Sequence, residues 1–120
     1  MATPRQIAEA FSGHRFAEAY PSLATDVRWT SPGQFTLTGR EAVIDACETT
    51  LSELAKGTAC FERFLVVAEG DAAAVDAIGR YVDAEGEVGV VASCDIYEFR
   101  DGVVTAITSY TVELDPADLV

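Results

Sequence analysis

Asp95 is the residue in this chain whose type and setting most invite chemistry. It stands in the run Ala92 to Glu113, ASCDIYEFRDGVVTAITSYTVE, among Cys94, Ile96, Tyr97 and Phe99. Strand side chains alternate faces, so Asp95 shares one face with Ser93, Tyr97 and Phe99, and Cys94, Ile96 and Glu98 take the other. A carboxylate among apolar neighbours must be paired, hydrogen-bonded or shifted in pKa, and such a group suits acid/base catalysis. Its ordinary alternative is a structural carboxylate bonded to a serine, a tyrosine or the backbone. His14, the sole histidine, is the other acid/base candidate by type. Its place between Gly13 and Arg15, where the chain turns between two helical segments, predicts an exposed capping role. Asp76 and Arg80 fall on one strand face, which reads first as a surface or interface pair. A nucleophilic triad of Ser31, His14 and Asp95 has no support, because no G-x-S-x-G elbow is present. There is likewise no P-loop or dinucleotide fingerprint.

Cys47, Cys60 and Cys94 show neither CxxC nor Cys/His ligand spacing, so they read as reduced, small core residues, and no metal and no cofactor is expected. With 8 basic and 20 acidic residues the net charge is −12, which repels nucleic acid and anionic membranes at long range. The chain of 120 residues, 49% apolar and 23% charged, matches one globular domain over 1–120. No apolar run reaches the roughly 20 residues of a membrane helix, and no signal peptide is evident at the N-terminus. A soluble cytoplasmic protein is the resulting expectation.

The elements that must position Asp95 follow in order. Thr3-Pro4 predicts a helix start, and Ile7, Ala8, Ala10 and Phe11 keep helical spacing up to Ser12-Gly13. The pattern resumes at Phe16, Ala19, Tyr20 and Leu23 as a second short helix that Pro21 distorts or ends. Val27 to Thr30 reads as a strand stopping before Pro32-Gly33, and Gln34 to Thr38 as a further extended piece. Thr38-Gly39-Arg40-Glu41 opens a long helix with Val43, Ile44, Cys47, Leu51 and Leu54 on one stripe and Lys56-Gly57 as its stop. Thr58 to Glu69, Ala72 to Val82, Glu87 to Arg100 and Val103 to Glu113 then read as four strands joined by Gly/Asp turns, an antiparallel meander. Residues 113–120 read as a loose tail. Helices first and strands afterwards give an α+β fold, three N-terminal helices covering a curved antiparallel sheet. Apolar residues on both faces of the sheet predict a homodimer through the outer one.

The helical hairpin, ATDVRWTSPG, LTGREAVIDA and the terminal CDIYEFRDGVVTAITSY together resemble the nuclear transport factor 2-like superfamily, and most nearly its SnoaL-like branch. The resemblance runs from about Ile7 to Glu113. It implies a cone-shaped sheet with an internal pocket, often a homodimer, and hosts isomerases, cyclases, dehydratases, epoxide hydrolases and non-catalytic modules. Measured against the superfamily's ketosteroid isomerases, the proline-adjacent catalytic aspartate is replaced by Ser31 before Pro32. Their oxyanion tyrosine would fall near Gln6 or Ile7, and only Asp95 matches a functional position. Ketosteroid isomerase chemistry is therefore not expected. An epoxide hydrolase constellation of Asp-Arg-Asp has Asp76, Arg80 and Asp95 as its nearest candidates. By resemblance and parity, Trp29, Ser31, Tyr97, Ile107, Ser109 and Thr111 line the pocket, and Tyr110 points outward. The expected function is to bind an apolar or polyketide-like small molecule, with Asp95 catalysing cofactor-free isomerisation, cyclisation, dehydration or hydrolysis. The alternative is a non-catalytic dimeric binding or protein-interaction module, its cone plugged by Trp29, Phe61, Phe64 and Tyr97.

Overall fold

A computed structural model describes residues 2–118. Helix α1, Pro4–Ser12, begins in a capping box. The Gln6 backbone N–H donates to Thr3 Oγ1 at 3.2 Å and the Thr3 N–H donates to Gln6 Oε1 at 2.9 Å. These bonds satisfy two donors at the helix start and its entry, and Pro4 has no N–H to lose there. After α1 the chain turns through His14, whose φ of 65° is left-handed. Helix α2 is only Phe16–Ala19, and Tyr20–Ser22 follows as a 3₁₀ turn. Pro21 thus ends the second helix earlier than its apolar spacing suggests, and Leu23 belongs to strand β1, Leu23–Ser31.

Strand β2, Phe35–Thr38, pairs with β1 as a short antiparallel hairpin. Helix α3, Arg40–Leu54, leaves from Gly39, whose φ of 97° favours glycine. The meander consists of β3 Thr58–Glu69, β4 Ala72–Val82, β5 Val88–Arg100 and β6 Val103–Leu114. Asp101 and Gly102 both have positive φ, the backbone of a tight hairpin turn matched to strand twist. Of the expected tail, Glu113 and Leu114 lie in β6 and Pro116–Asp118 forms a 3₁₀ turn. Residues 119 and 120 of it lie outside the described residues.

The six strands form one sheet in the order β2-β1-β6-β5-β4-β3. All neighbours are antiparallel except β1 and β6, which run parallel. Register shifts at Phe61/Arg63 in β3 and Glu98/Phe99 on β5 bend the strands, as an extra residue on one side of a ladder does. The fold is α+β, a curved and unclosed sheet with helices on its concave side. Ile7, Ala8 and Phe11 of α1 and Val43 and Cys47 of α3 pack there against Val27, Val75, Tyr97, Val104 and Ile107. No described helix is long and apolar enough to cross a membrane.

The opposite face carries Leu65, Val67, Ile96, Tyr110 and Val112, all exposed. Cross-strand pairing sets these positions: Cys94 opposes Asp76 and Tyr110, and Ile96 opposes Ala74 and Thr108. Tyr110 therefore stands outward, away from Asp95.

Candidate functional site

Asp95 lies on β5 between Val75 of β4 and Ser109 of β6, facing the helices and only partly covered. Ser109 Oγ donates to its Oδ1 at 2.6 Å, and Ser12 Oγ donates to its Oδ2 at 2.7 Å. Trp29 Nε1 donates in turn to Ser109 Oγ at 2.9 Å. Ser12 Oγ and the Tyr97 hydroxyl also share a short hydrogen bond. Proton counting fixes its direction. Ser12 has one hydroxyl proton and gives it to Asp95, so Tyr97 must be the donor to Ser12.

Two relays of donors, Tyr97 through Ser12 and Trp29 through Ser109, thus converge on one carboxylate. Tyr97 has no exposed surface, and burial followed by the Asp95 charge pushes its pKa well above the ordinary phenol value. It therefore remains a donor throughout the physiological range. Each carboxylate oxygen has two acceptor directions, so one serine apiece leaves capacity for a substrate proton. Successive hydrogen bonds in a low-dielectric setting polarise one another, which makes Asp95 a fixed and well-supported acceptor.

Local sequence explains this convergence. Ser12 ends α1 one turn after Ala8, on the buried side of the helix. Trp29 pairs with Ile107, so it shares the concave face with Ser109 two residues further along β6. Phe11 caps the cluster with its ring edge-on to Trp29 at 5.1 Å and to Tyr97 at 6.0 Å.

Of the residues expected to line a pocket, Trp29, Tyr97 and Ser109 meet at Asp95 through these bonds. Ile107 is fully buried beside them. Ser31 is also buried, but its hydroxyl donates to Gln34 Oε1 at 3.0 Å. Thr111 is exposed and accepts from Gln34 Nε2 at 3.3 Å, so these two residues form a polar rim toward the β1–β2 turn. Phe11 packs edge-on against Tyr97, and both belong with Ile107 to one buried apolar cluster. Sequence reading passed over Ser12, whose signal was a hydroxyl on the apolar helix stripe.

Asp76 and Arg80 do not assemble with Asp95. Asp76 lies on the opposite sheet face, where its Oδ2 is 2.9 Å from Arg63 Nη2 in an exposed ion pair. The reason is register: Asp76 opposes Cys94, and directly opposed residues share a face.

His14 departs from the expected exposed cap. It is half-buried, its ring stacked on Phe61 at 5.3 Å and tilted against Phe16 at 5.7 Å and Tyr81 at 6.0 Å. Burial lowers its pKa below the ordinary imidazole value, opposed in part by the Asp95 charge. Beside Phe61 a cleft of about 460 Å³ opens between α1 and β3, bordered by Arg5, Glu9, Gly13, Arg15 and Phe64. The described residues hold no cluster of three or more metal-ligating side chains. The cysteines are free, and burial pushes Cys47 up to about 12, leaving it an inert core thiol.

The SnoaL-like domain model matches residues 5–107 of the chain. The chain belongs to the SnoaL-like domain family. An NTF2-like protein of unknown function from Cytophaga hutchinsonii is 30% identical to this SnoaL-like protein. The match covers 88% of this chain and 93% of that one, with a TM-score of 0.77. A candidate polyketide cyclase from Xanthomonas campestris shares the fold at 22% identity, covering 87% and 83% of the two chains, TM-score 0.67. An LEH-like epoxide hydrolase from M. tuberculosis does so at 16% identity, covering 90% and 81%, TM-score 0.66. No curated protein matches the SnoaL-like chain.

Proposed function

We propose that this SnoaL-like protein binds an apolar small molecule at the concave face and moves a proton on it with Asp95 as general base. The observation that carries this reading is the convergence of two donor relays on a carboxylate that stays partly open. A base so held needs no reorganisation when the substrate arrives, and a positioned base contributes typically 10²- to 10⁴-fold. Isomerisation, aldol cyclisation and dehydration all begin with such a proton transfer and need no group beyond protein and substrate. Epoxide hydrolysis would use the same carboxylate on a water molecule. The polyketide cyclase and epoxide hydrolase assignments of the fold neighbours are in keeping with this chemical range.

A nitrobenzisoxazole tests the base directly. Loss of its ring C–H proton breaks the N–O bond and releases a coloured phenolate, so turnover reports general base strength at an apolar site. Wild type should exceed the buffer rate, and Asp95→Asn should lose at least about 100-fold. Equal turnover in the two proteins would remove Asp95 from the chemistry.

The packing of Phe11 over Tyr97 favours a second reading, a non-catalytic module in which the Asp95 cluster ties α1 to the sheet. That reading requires Asp95→Asn to cost stability while no probe turns over. In either case the apolar convex face fits a second copy of the chain, because Val67 at 58% and Val112 at 61% exposure are uncovered on one protomer. Sedimentation at micromolar concentration should give a dimer, and a monomer there would count against that role for the face.

A further inference from the structure

We propose that His14 is the second functional side chain of the Asp95 site, a neutral imidazole that hydrogen-bonds the oxygen on which negative charge gathers as Asp95 takes a carbon-bound proton. The proposal rests on the reading of Asp95 as a base, and it narrows the substrate to a flat, conjugated carbonyl compound.

Three independent features point to His14. Its backbone is left-handed, with φ 65°, a conformation that non-glycine residues rarely adopt and that is kept where surrounding packing demands it. Its ring is walled by Phe16, Phe61 and Tyr81, aromatic groups that also suit a flat ligand. Stacking on Phe61 uses the ring face rather than the edge that carries the two nitrogens. Gly79 supports the same arrangement. A Cβ there would overlap the Tyr81 ring and hydroxyl, so its absence lets Tyr81 lie down along the concave face.

His14 lies two residues beyond Ser12, whose Oγ donates to Asp95 Oδ2 at 2.7 Å, so the turn that carries the imidazole is anchored at the carboxylate. The Asp95 charge accordingly raises the pKa of His14, against burial, and of Tyr81, together with burial. Arg15, the neighbouring charge along the chain, is exposed and lies 3.5 Å from Glu18. Burial keeps the imidazole uncharged near neutrality, in which form one nitrogen still donates.

The step balances without a further reactant. Asp95 forms an O–H bond to the proton α to a carbonyl as the C–H bond breaks. The released electron pair forms the Cα–C double bond, and the carbonyl π pair moves onto oxygen. The His14 N–H donates to that enolate oxygen, and Asp95 returns the proton to the original or a conjugated carbon. Preorganised donors at developing oxyanions are worth on the order of 10²- to 10³-fold, less where water still reaches the site.

The nitrobenzisoxazole probe separates this proposal from its parent, since its departing oxygen stands in for the enolate. His14→Phe keeps a stacking ring and removes the donor; it should lower kcat about tenfold or more with KM little changed. His14→Asn tolerates the left-handed backbone and keeps a donor, so it should recover part of the loss. Wild-type kcat in His14→Phe, with Asp95→Asn inactive, overturns the role of His14 and leaves Asp95 standing. Wild-type kcat in Asp95→Asn overturns both. A substrate-free measurement guards against a silent probe. The NMR titration of this sole histidine should move to lower pH in Asp95→Asn, and an unmoved midpoint overturns the proposal.

Discussion

Removal of the Ser12 hydroxyl should destabilise the fold more than removal of the Tyr97 hydroxyl that donates to it. Ser12→Ala deletes the donor to Asp95 Oδ2 and strands the Tyr97 O–H, which has no exposed surface through which water could replace the acceptor. A hydrogen bond to a charged group is worth roughly 1.5–3 kcal/mol, and an orphaned buried donor costs roughly 1–3 kcal/mol more. Asp95 is partly open, so water repairs some of the first loss and the low end applies, giving about 3 kcal/mol in all. Tyr97→Phe leaves Ser12 still donating to Asp95 and costs about 1 kcal/mol. The double variant removes the orphan along with its partner, so it should cost about 2 kcal/mol, well short of the additive 4 kcal/mol. Urea unfolding followed by circular dichroism measures all three, with unchanged m-values as the check on two-state behaviour. In thermal terms Ser12→Ala should lower Tm by roughly 12 °C at this chain length. A larger effect in Tyr97→Phe, or additive single variants, would refute the direction assigned to the relay.

Stability should fall as pH drops below the ordinary histidine value of 6.5, because burial lowers the folded-state pKa of His14 and only the unfolded chain takes up the proton there. The loss levels off below the folded-state value, and urea midpoints across pH 7 to 5 in wild type and His14→Asn should show that portion disappearing in the variant. Gly57→Ala should cost at least about 1–3 kcal/mol in the same assay, since its Cβ would overlap the Val82 carbonyl, a backbone atom that cannot swing aside.

The meander was legible to within a residue because Gly70-Asp71, the Asp83–Gly86 turn and Asp101-Gly102 interrupt long β-rich runs. Helix α3 was equally plain, bounded by Gly39 and Gly57. What sequence did not convey was long-range pairing. The parallel match of β1 to β6 brings Trp29 to Ser109 across 80 positions, and no local pattern encodes that register. The second helix was overextended because apolar spacing at Tyr20 and Leu23 continues past Pro21, where the missing N–H lets the chain leave the helix.

The site was half legible for the same reason. Asp95 stood out as a carboxylate in an apolar strand, and period-two alternation placed Tyr97 and Ser109 with it. Alternation says nothing about depth, so fully buried Ile107 and exposed Thr111 looked equivalent. His14 was misread because a Gly-His-Arg turn is ordinarily solvated. Two of the aromatic walls that bury it, Phe61 and Tyr81, come from β3 and β4, nearly 50 and 70 residues onward.

Nitrobenzisoxazole turnover in wild type and Asp95→Asn, at matched folding by circular dichroism, tests the central claim most directly. With Asp95 as the base, wild-type turnover should exceed that of buffer and fall by at least about 100-fold in the variant, with the probe still bound. Turnover preserved in Asp95→Asn, or a wild-type rate no greater than buffer alone, would contradict it.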